Sequence, residues 1–463
     1  MIVSAKSAII SRKPEDMRAK GGKMEKPIWD RDSLPRFGQL QGDVKTDVLI
    51  IGGGIAGILC AYMLKRAGVD CVLAEAGRIC GGVTGRTTAK VTLQHGLIYD
   101  KITKRYGQSA AKKYLDAQSR AIEEYRELCR GIKCGYEERD SYVHSTSDRD
   151  ALVAEWEAIC RIGGEGELVE SVPLPISSVG AVRVPSQGQL EPLRFLGTIA
   201  RGLPIYENTK IKELTPEGAI TDSGKITAEK TVVATHYPFL NKHGGYFLKL
   251  YQHRSYVIAL DGAQPLEGTY IDECDRGLSF RSFGELLLLG GGSHRTGKRG
   301  GGWRELEAFA KEYYPSARVV GRWATQDCMS LDGIPYVGRY SKSTPNLYVI
   351  TGFNKWGMTS AMAGAMLLCD ELRGIASPYS ELFSPERSIL HRQLLTNALE
   401  TAVGLITPTA PRCPHLGCAL KYNKEEHSWD CPCHGSRFSD SGKLLDNPAT
   451  GDLRRTPARP DTD

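Results

Sequence analysis

The sequence holds no apolar run approaching the ~18 residues of a membrane-spanning helix, so no helical span is expected. It also lacks a strong excess of either charge. The 60 Lys and Arg against 54 Asp and Glu leave a formal +6 over 463 residues, and the basic side chains are not gathered into runs. That balance gives no reason to expect a nucleic-acid partner. Met1 to Lys23 has no twin arginine and no hydrophobic stretch beyond the patch Ser7 to Ile10, which argues against a secretory leader. Residues 1–45 read as an N-terminal tail. Its first part is expected to be disordered or to lie upstream of the true start, with Met24 a second candidate beginning. The default compartment is cytoplasmic. The length suits two or three domains, and 41% hydrophobic with 25% charged residues is ordinary for a globular chain.

Cysteine, by contrast, is plentiful, with 13 residues. Nine are scattered from Cys60 to Cys369, mostly in apolar contexts that suit buried thiols. The other four, Cys413, Cys418, Cys431 and Cys433, crowd near the C-terminus with His415 and His434. That cluster needs its own explanation.

The strongest stretch runs from Asp47 to Glu75. Val48 to Ile51 is wholly apolar, as a parallel strand buried on both faces requires. Gly52, Gly54 and Gly57 then spell Gly-x-Gly-x-x-Gly, which allows a tight turn and close approach of a pyrophosphate. The spacing predicts a helix over Ile55–Ala67, stopped by Gly68, then a strand over Val69–Ala74. The helix N-terminus, with Ile55 and Ala56, offers free N–H groups to phosphate. Glu75 stands where an acid accepts from ribose hydroxyls. After it, Gly81 to Thr88 is a second glycine-rich loop whose Thr84, Arg86 and Thr87 suit another grip on a pyrophosphate. A bare glycine-rich turn is the alternative for each block.

Here the sequence resembles the FAD-dependent oxidoreductases of the D-amino-acid oxidase, glycine oxidase and sarcosine oxidase kind. Two later blocks carry the same resemblance. Thr231 to His236 is similar to the segment ending Ala-Thr-Gly beside the dinucleotide, with Ala234 and Thr235 matching and His236 in place of the glycine. Asp332-Gly-x-Pro-x-x-Gly338 leads to a strand, then Gly352-Phe353 and Gly357-Met358-Thr359 at the start of a helix over Met358–Leu372. The resemblance implies that this helix end faces the flavin C2 carbonyl, where a positive helix terminus stabilises the reduced ring. It also implies an α/β Rossmann-type FAD lobe built discontinuously from residues near 47–100, 183–240 and 322–374. A β-rich substrate lobe would come from about 101–182 and 241–321. Within these, Leu97 to Leu128 reads as one helix, Ala151 to Ile162 as another, and Gly290 to Gly297 as a loop by composition.

Residues 376–409 read as a linker with a helical middle, His391 to Ala402. From 410 the chain carries Cys413-Pro-His415-Leu-Gly-Cys418 and Cys431-Pro-Cys433-His434-Gly-Ser436. Cys-x-His and Cys-x-x-His match a Rieske [2Fe–2S] site, Cys413 and Cys431 holding one iron and His415 and His434 the other. A Cys/His zinc site is the alternative. By resemblance to high-potential Rieske proteins, Cys418 and Cys433 form a disulfide between the loops. The strands that normally precede the first ligand loop have no counterpart, so 410–463 reads as a small, truncated all-β Rieske module. It is expected to lean on the flavin lobe for its missing wall.

Together the halves resemble bacterial FAD-dependent oxidoreductases with a C-terminal Rieske domain. The expected activity is oxidation of a small organic substrate by hydride transfer to FAD, with electrons leaving through the cluster to a one-electron carrier. The alternatives are a flavoenzyme with a structural C-terminal remnant and an FAD-binding redox sensor. Amino-acid oxidases of this family place an arginine shortly after the tryptophan matching Trp323. This chain has Gln326-Asp327 there. Asp327 and Arg281 are therefore the catalytic-site candidates, and a cationic or neutral amine or alcohol is expected in preference to an amino acid. The alternative is that Asp327 caps a turn or pairs with an arginine such as Arg281.

Overall fold

In the computed structural model, residues 26–240, 243–274, 277–407 and 411–454 are described. Val48 to Ile51 are buried because Val44–Ile51 lies parallel between Cys71–Ala74 and Lys225–Val233. Leu347–Thr351 adds parallel beyond Lys225–Val233, and Tyr336–Arg339 closes that edge antiparallel. The carboxyl ends of four parallel strands therefore run into Gly52, Glu75, Ala234 and Gly352 along one sheet edge. Ligands bind at such an edge in open α/β sheets. The helix Ile55–Arg66 packs on Gly357–Leu372. It ends at Gly68 (φ +76°), where Val69 N–H turns back to the Leu64 carbonyl at 3.0 Å.

The second layer is a nine-stranded mixed sheet. Its main path runs Arg318–Ser330, Leu250–Asp261, Leu286–Arg295, Ser279–Phe283, Thr269–Asp272, Glu137–Ser145, Gly180–Gln189, Lys90–Val91. Gly180–Gln189 and Arg318–Ser330, which sequence alone places largely in the dinucleotide lobe, belong to this sheet. The expected loop at Gly290–Gly297 is mostly strand, since Leu286–Arg295 pairs on both sides. Its glycines mark packing: a Cβ on Gly292 (φ +59°) would fall 2.4 Å from the Gly302 carbonyl oxygen. The expected single helix over 97–128 is two, Ile98–Tyr106 and Gln108–Arg130, parted at Gly107 (φ +85°). The helix expected over 151–162 is Arg149–Arg161, capped by Asp148.

Part of the expected tail is folded onto the molecule. Trp29 and Leu40 are buried, and the Trp29 indole donates to the Thr87 carbonyl at 2.8 Å. Residues 1–25, Met24 included, lie outside the described residues. Between Arg373 and Cys413, the described residues form the helices Ser380–Phe383 and Arg392–Ile406 and no strand. A four-stranded meander follows: Lys421–Asn423, Ser428–Asp430, Arg437–Ser439 and Leu444–Asp446. No helix among the described residues is long and apolar enough to cross a membrane.

Candidate functional site

A cavity of about 1660 Å³ opens where the parallel strands end, walled on the other side by the mixed sheet. It exceeds the ~300–1,000 Å³ of ordinary small-ligand sites, so it has room for a dinucleotide and a substrate together. Gly52 and Gly54 line it with the first residues of the helix, Ile55 and Ala56. A Cβ on Gly54 would sit 3.2 Å from Thr84 Oγ1, and that hydroxyl accepts the Ile55 N–H at 3.0 Å. Gly57 is not in the wall. Its absent Cβ would lie 1.9 Å from the Gly52 carbonyl oxygen, so it serves close packing of helix on turn.

Glu75 lines the cavity and accepts from the N–H groups of Gly53 (2.7 Å) and Gly77 (2.8 Å). Burial raises its pKa, against these hydrogen bonds. Thr84, Arg86 and Thr87 continue the wall, then Ala234 and Thr235. Phe353, Gly357 and Met358 complete it at the start of the second helix. Gly352 and Thr359 stand just outside. Thr359 Oγ1 turns away to the Thr92 carbonyl at 2.8 Å. Glycine turns that admit close approach, a helix N-terminus opening on the cavity and an acid at the second strand's end fit an adenine dinucleotide.

The floor is a row of hydroxyls ending in one carboxylate. Ser293 Oγ donates to Ser255 Oγ at 3.3 Å, and Ser255 Oγ donates to Asp327 Oδ2 at 2.8 Å. Thr325, beside Ser255 in register, presents a buried Oγ1 with no partner. All four line the cavity. Arg281 does not reach Asp327. Its buried guanidinium is spent on main-chain carbonyls of Thr88, Ala89 and Leu190, and lies over Trp29. The expected pairing is replaced by this backbone clamp, which joins strands the sequence could not show to be adjacent.

Sequence reasoning missed His95, which also lines the cavity. It stacks on Trp356 and meets Tyr114 Oη at 2.7 Å through Nδ1. Burial pushes its pKa down to about 3, so it is neutral. The signal that could have found it is the stretch Thr84 to Tyr99, which resembles the flavoenzymes with a Rieske domain and contains Gln94-His-Gly96.

The C-terminal loops meet face to face. Cys413 N–H donates to the Cys418 carbonyl and Cys431 N–H to the Ser436 carbonyl, at 2.9 and 2.8 Å. The rings of His415 and His434 pack edge to face at 4.9 Å. His434 is buried, with its ring against the Cys431 thiol. Contact with Cys413, Cys418 and Cys433 pulls the Cys431 thiol well below its ordinary pKa, against burial. Two thiols and two imidazoles facing one another are the donor set of a [2Fe–2S] cluster with mixed ligands. Cys418 and Cys433 are free thiols, not a disulfide. Their sulfurs and that of Cys431 lie within 4.8 Å of one another.

This module closes the cavity. Asp446 and Asn447 line it, and Asn447 Nδ2 donates to the Thr235 and Tyr237 carbonyls, each at 2.8 Å. Behind them is a buried charge network. Arg254 of the mixed sheet pairs with Glu426, and Arg437 reaches Glu426, Asp430 and Asp446 at 2.8, 3.0 and 2.9 Å. Burial alone would raise the Asp446 pKa, but Arg437, Arg254 and Arg86 outweigh it and hold the carboxyl below its usual range. The Arg295 guanidinium donates to the Pro432 and Cys433 carbonyls. Two strands of the mixed sheet, Leu250–Asp261 and Leu286–Arg295, thus supply side chains that anchor the module.

The comparisons agree with this geometry. The FAD dependent oxidoreductase family profile matches residues 47–371, and that of the Rieske [2Fe-2S] domain matches 396–457. YhfW of Bacillus subtilis (strain 168), named as a Rieske 2Fe-2S iron-sulfur protein, is 32% identical over 91% of this chain and 95% of its own. Gamma-glutamylputrescine oxidoreductase of Escherichia coli (strain K12) is 26% identical over 74% of this chain and 87% of its own. Glycine oxidase from Geobacillus kaustophilus has the same fold over 74% of this chain and 99% of its own, with a TM-score of 0.62 at 20% identity. The chain belongs to the FAD-dependent oxidoreductase family and carries a C-terminal Rieske [2Fe–2S] domain.

Proposed function

We propose that this oxidoreductase oxidises a small cationic or neutral amine or alcohol and delivers the electrons singly to a carrier outside the chain. When bound, FAD supplies a two-electron hydride acceptor and the cluster a one-electron outlet. The observation that carries the reading is the shared wall: Asn447, thirteen residues beyond His434, hydrogen-bonds the Thr235 and Tyr237 carbonyls at the cavity edge. An outlet built into the site's wall suits a dehydrogenase. Gly52, Gly54, Glu75 and Arg86 are assigned to the dinucleotide. Cys413, His415, Cys431 and His434 are assigned to the cluster. The compartment proposed is cytoplasmic.

Asp327 and the hydroxyls of Ser255 and Thr325 orient the substrate. A carboxylate on the floor attracts an ammonium and repels a substrate carboxylate. Neutral His95 cannot offer the latter a compensating charge.

The test is an iron and zinc assay with low-temperature EPR of dithionite-reduced, FAD-containing protein, followed by anaerobic mixing with amines, glycine and D-alanine. About two irons per chain, a Rieske signal and bleaching of the flavin by amines are expected. One zinc and no signal would leave the C-terminus structural. Rapid bleaching by glycine or D-alanine would remove the assignment of Asp327.

A further inference from the structure

One side-chain amide joins the cavity to the cluster loops. Gln252, on the strand Leu250–Asp261, is buried. Its Oε1 accepts from Gln326 Nε2 at 2.7 Å and from His236 Nε2 at 3.2 Å. Its Nε2 donates to the carbonyls of His434 at 3.0 Å and Asn447 at 2.9 Å. All four hydrogen-bonding positions of the amide are used, which fixes its orientation. Gln326 Nε2 also reaches the Gly435 carbonyl at 2.9 Å. The approach depends on Gly435 (φ +90°), where a Cβ would stand 2.6 Å from Gln252 Cβ.

The other end of the chain of bonds is His236, in the cavity wall at φ +66° and directly after Ala234-Thr235. Two aromatic rings flank the same contact. Tyr237 meets His415 edge-on at 6.4 Å, and Phe247 meets His434 edge-on at 6.3 Å. The histidine side of the ligand set therefore faces the flavin lobe. The other two cysteines of the loops, Cys418 and Cys433, face the helix Arg392–Ile406, where a Cβ on Gly404 would lie 2.6 Å from Cys433 Sγ.

We propose that Gln252 is a positioning residue that ties the histidine side of the cluster site to the flavin cavity, so that occupancy of the cavity is felt at His434 through His236 and Gln252. Hydrogen bonds behind a metal ligand set its orientation and tune its metal. Here the bond is to the ligand's own carbonyl, and its far end is a residue of the cavity wall. The role rests on the Rieske reading of the loops.

The experiment uses full-length protein holding FAD and iron. EPR spectra and midpoint potentials of the cluster are recorded before and after FAD is stripped, for wild type, Gln252→Leu and His236→Gly. Glycine suits the left-handed backbone at 236, so that variant cuts the chain of bonds at its cavity end while leaving the loop contacts in place. Wild type is expected to change signal and potential when FAD leaves. Both variants should give one spectrum and one potential regardless of FAD. His236→Gly retaining the wild-type response, or a wild type without a response, would overturn the role. A wild type with no Rieske signal would overturn this role and the proposed function together.

Discussion

Asp327 is held by one hydroxyl, Ser255 Oγ, and leaves its other oxygen to the cavity. Asp327→Asn keeps the shape and the Ser255 contact but removes the charge. The expected outcome is a rise in KM for cationic amines of roughly 10- to 100-fold, the ~1.5–3 kcal/mol of a charged hydrogen bond, with flavin content unchanged. Steady-state kinetics against a neutral alcohol of similar size checks that the loss follows charge. Gly54→Val places branched carbons against Thr84 Oγ1 and into the cavity, and flavin absorbance per protein should fall severalfold. A third residue-scale outcome concerns pH. Asp332 is buried, which alone would raise its pKa, but Arg387 and Tyr106 bring it down to about 2. A depressed carboxyl stabilises the fold above its unfolded value near 4, and that stability is lost as pH falls toward about 2. Asp332→Asn strands the Arg387 guanidinium in the core, at a cost of about 3–5 kcal/mol at neutral pH. Urea denaturation from pH 7 down to pH 3 should show the wild type losing stability below pH 4 and the variant a shallower loss, since Asp446 and Glu426 remain as depressed carboxyls.

At the scale of elements, the helix Ile55–Arg66 and its flanking strands were legible because strand, glycines, helix and acid are contiguous. The ligand loops were legible for the same reason. The apolar half of Leu286–Arg295, Leu286 to Leu289, was legible as a buried strand, but Gly290 onward was not. Its glycines have loop composition, and what makes it strand is pairing with Leu250–Asp261 on one side and Ser279–Phe283 on the other. Arg281 failed similarly, since its partners at Thr88 and Leu190 are set by sheet order. The helix Arg392–Ile406 was found by pattern, but not its task of holding Cys418 and Cys433 of the cluster loops. Gly404→Val would push directly on Cys433 Sγ. Iron per flavin should fall severalfold while flavin per chain holds, as measured on one purified sample.

The whole molecule shows why the C-terminal module is short. Its apolar core comprises Cys413, Cys418, Leu420, Trp429, Cys431, Cys433, Phe438 and Ala449, so four of eight members are cysteines. Such a core depends on what its sulfurs bind, and a domain this small buries too little to fold alone. Residues 390–463 expressed separately are expected to show no cooperative thermal transition. Chelating iron from the full chain should lower the transition of the module while the flavin lobe's own remains, as seen by calorimetry.

The close approach at Gly435 and Gln252 bears on ancestry. A side chain at 435 cannot coexist with Gln252, and a Cβ on Gly297, just past the strand Leu286–Arg295 of the mixed sheet, would meet Pro432 N at 2.7 Å. Each half has been carved to the other's outline, so neither is an interchangeable part. A Rieske module transplanted from another protein would find the socket already cut for its predecessor, and a lineage drifting on one side would be obliged to drift on the other.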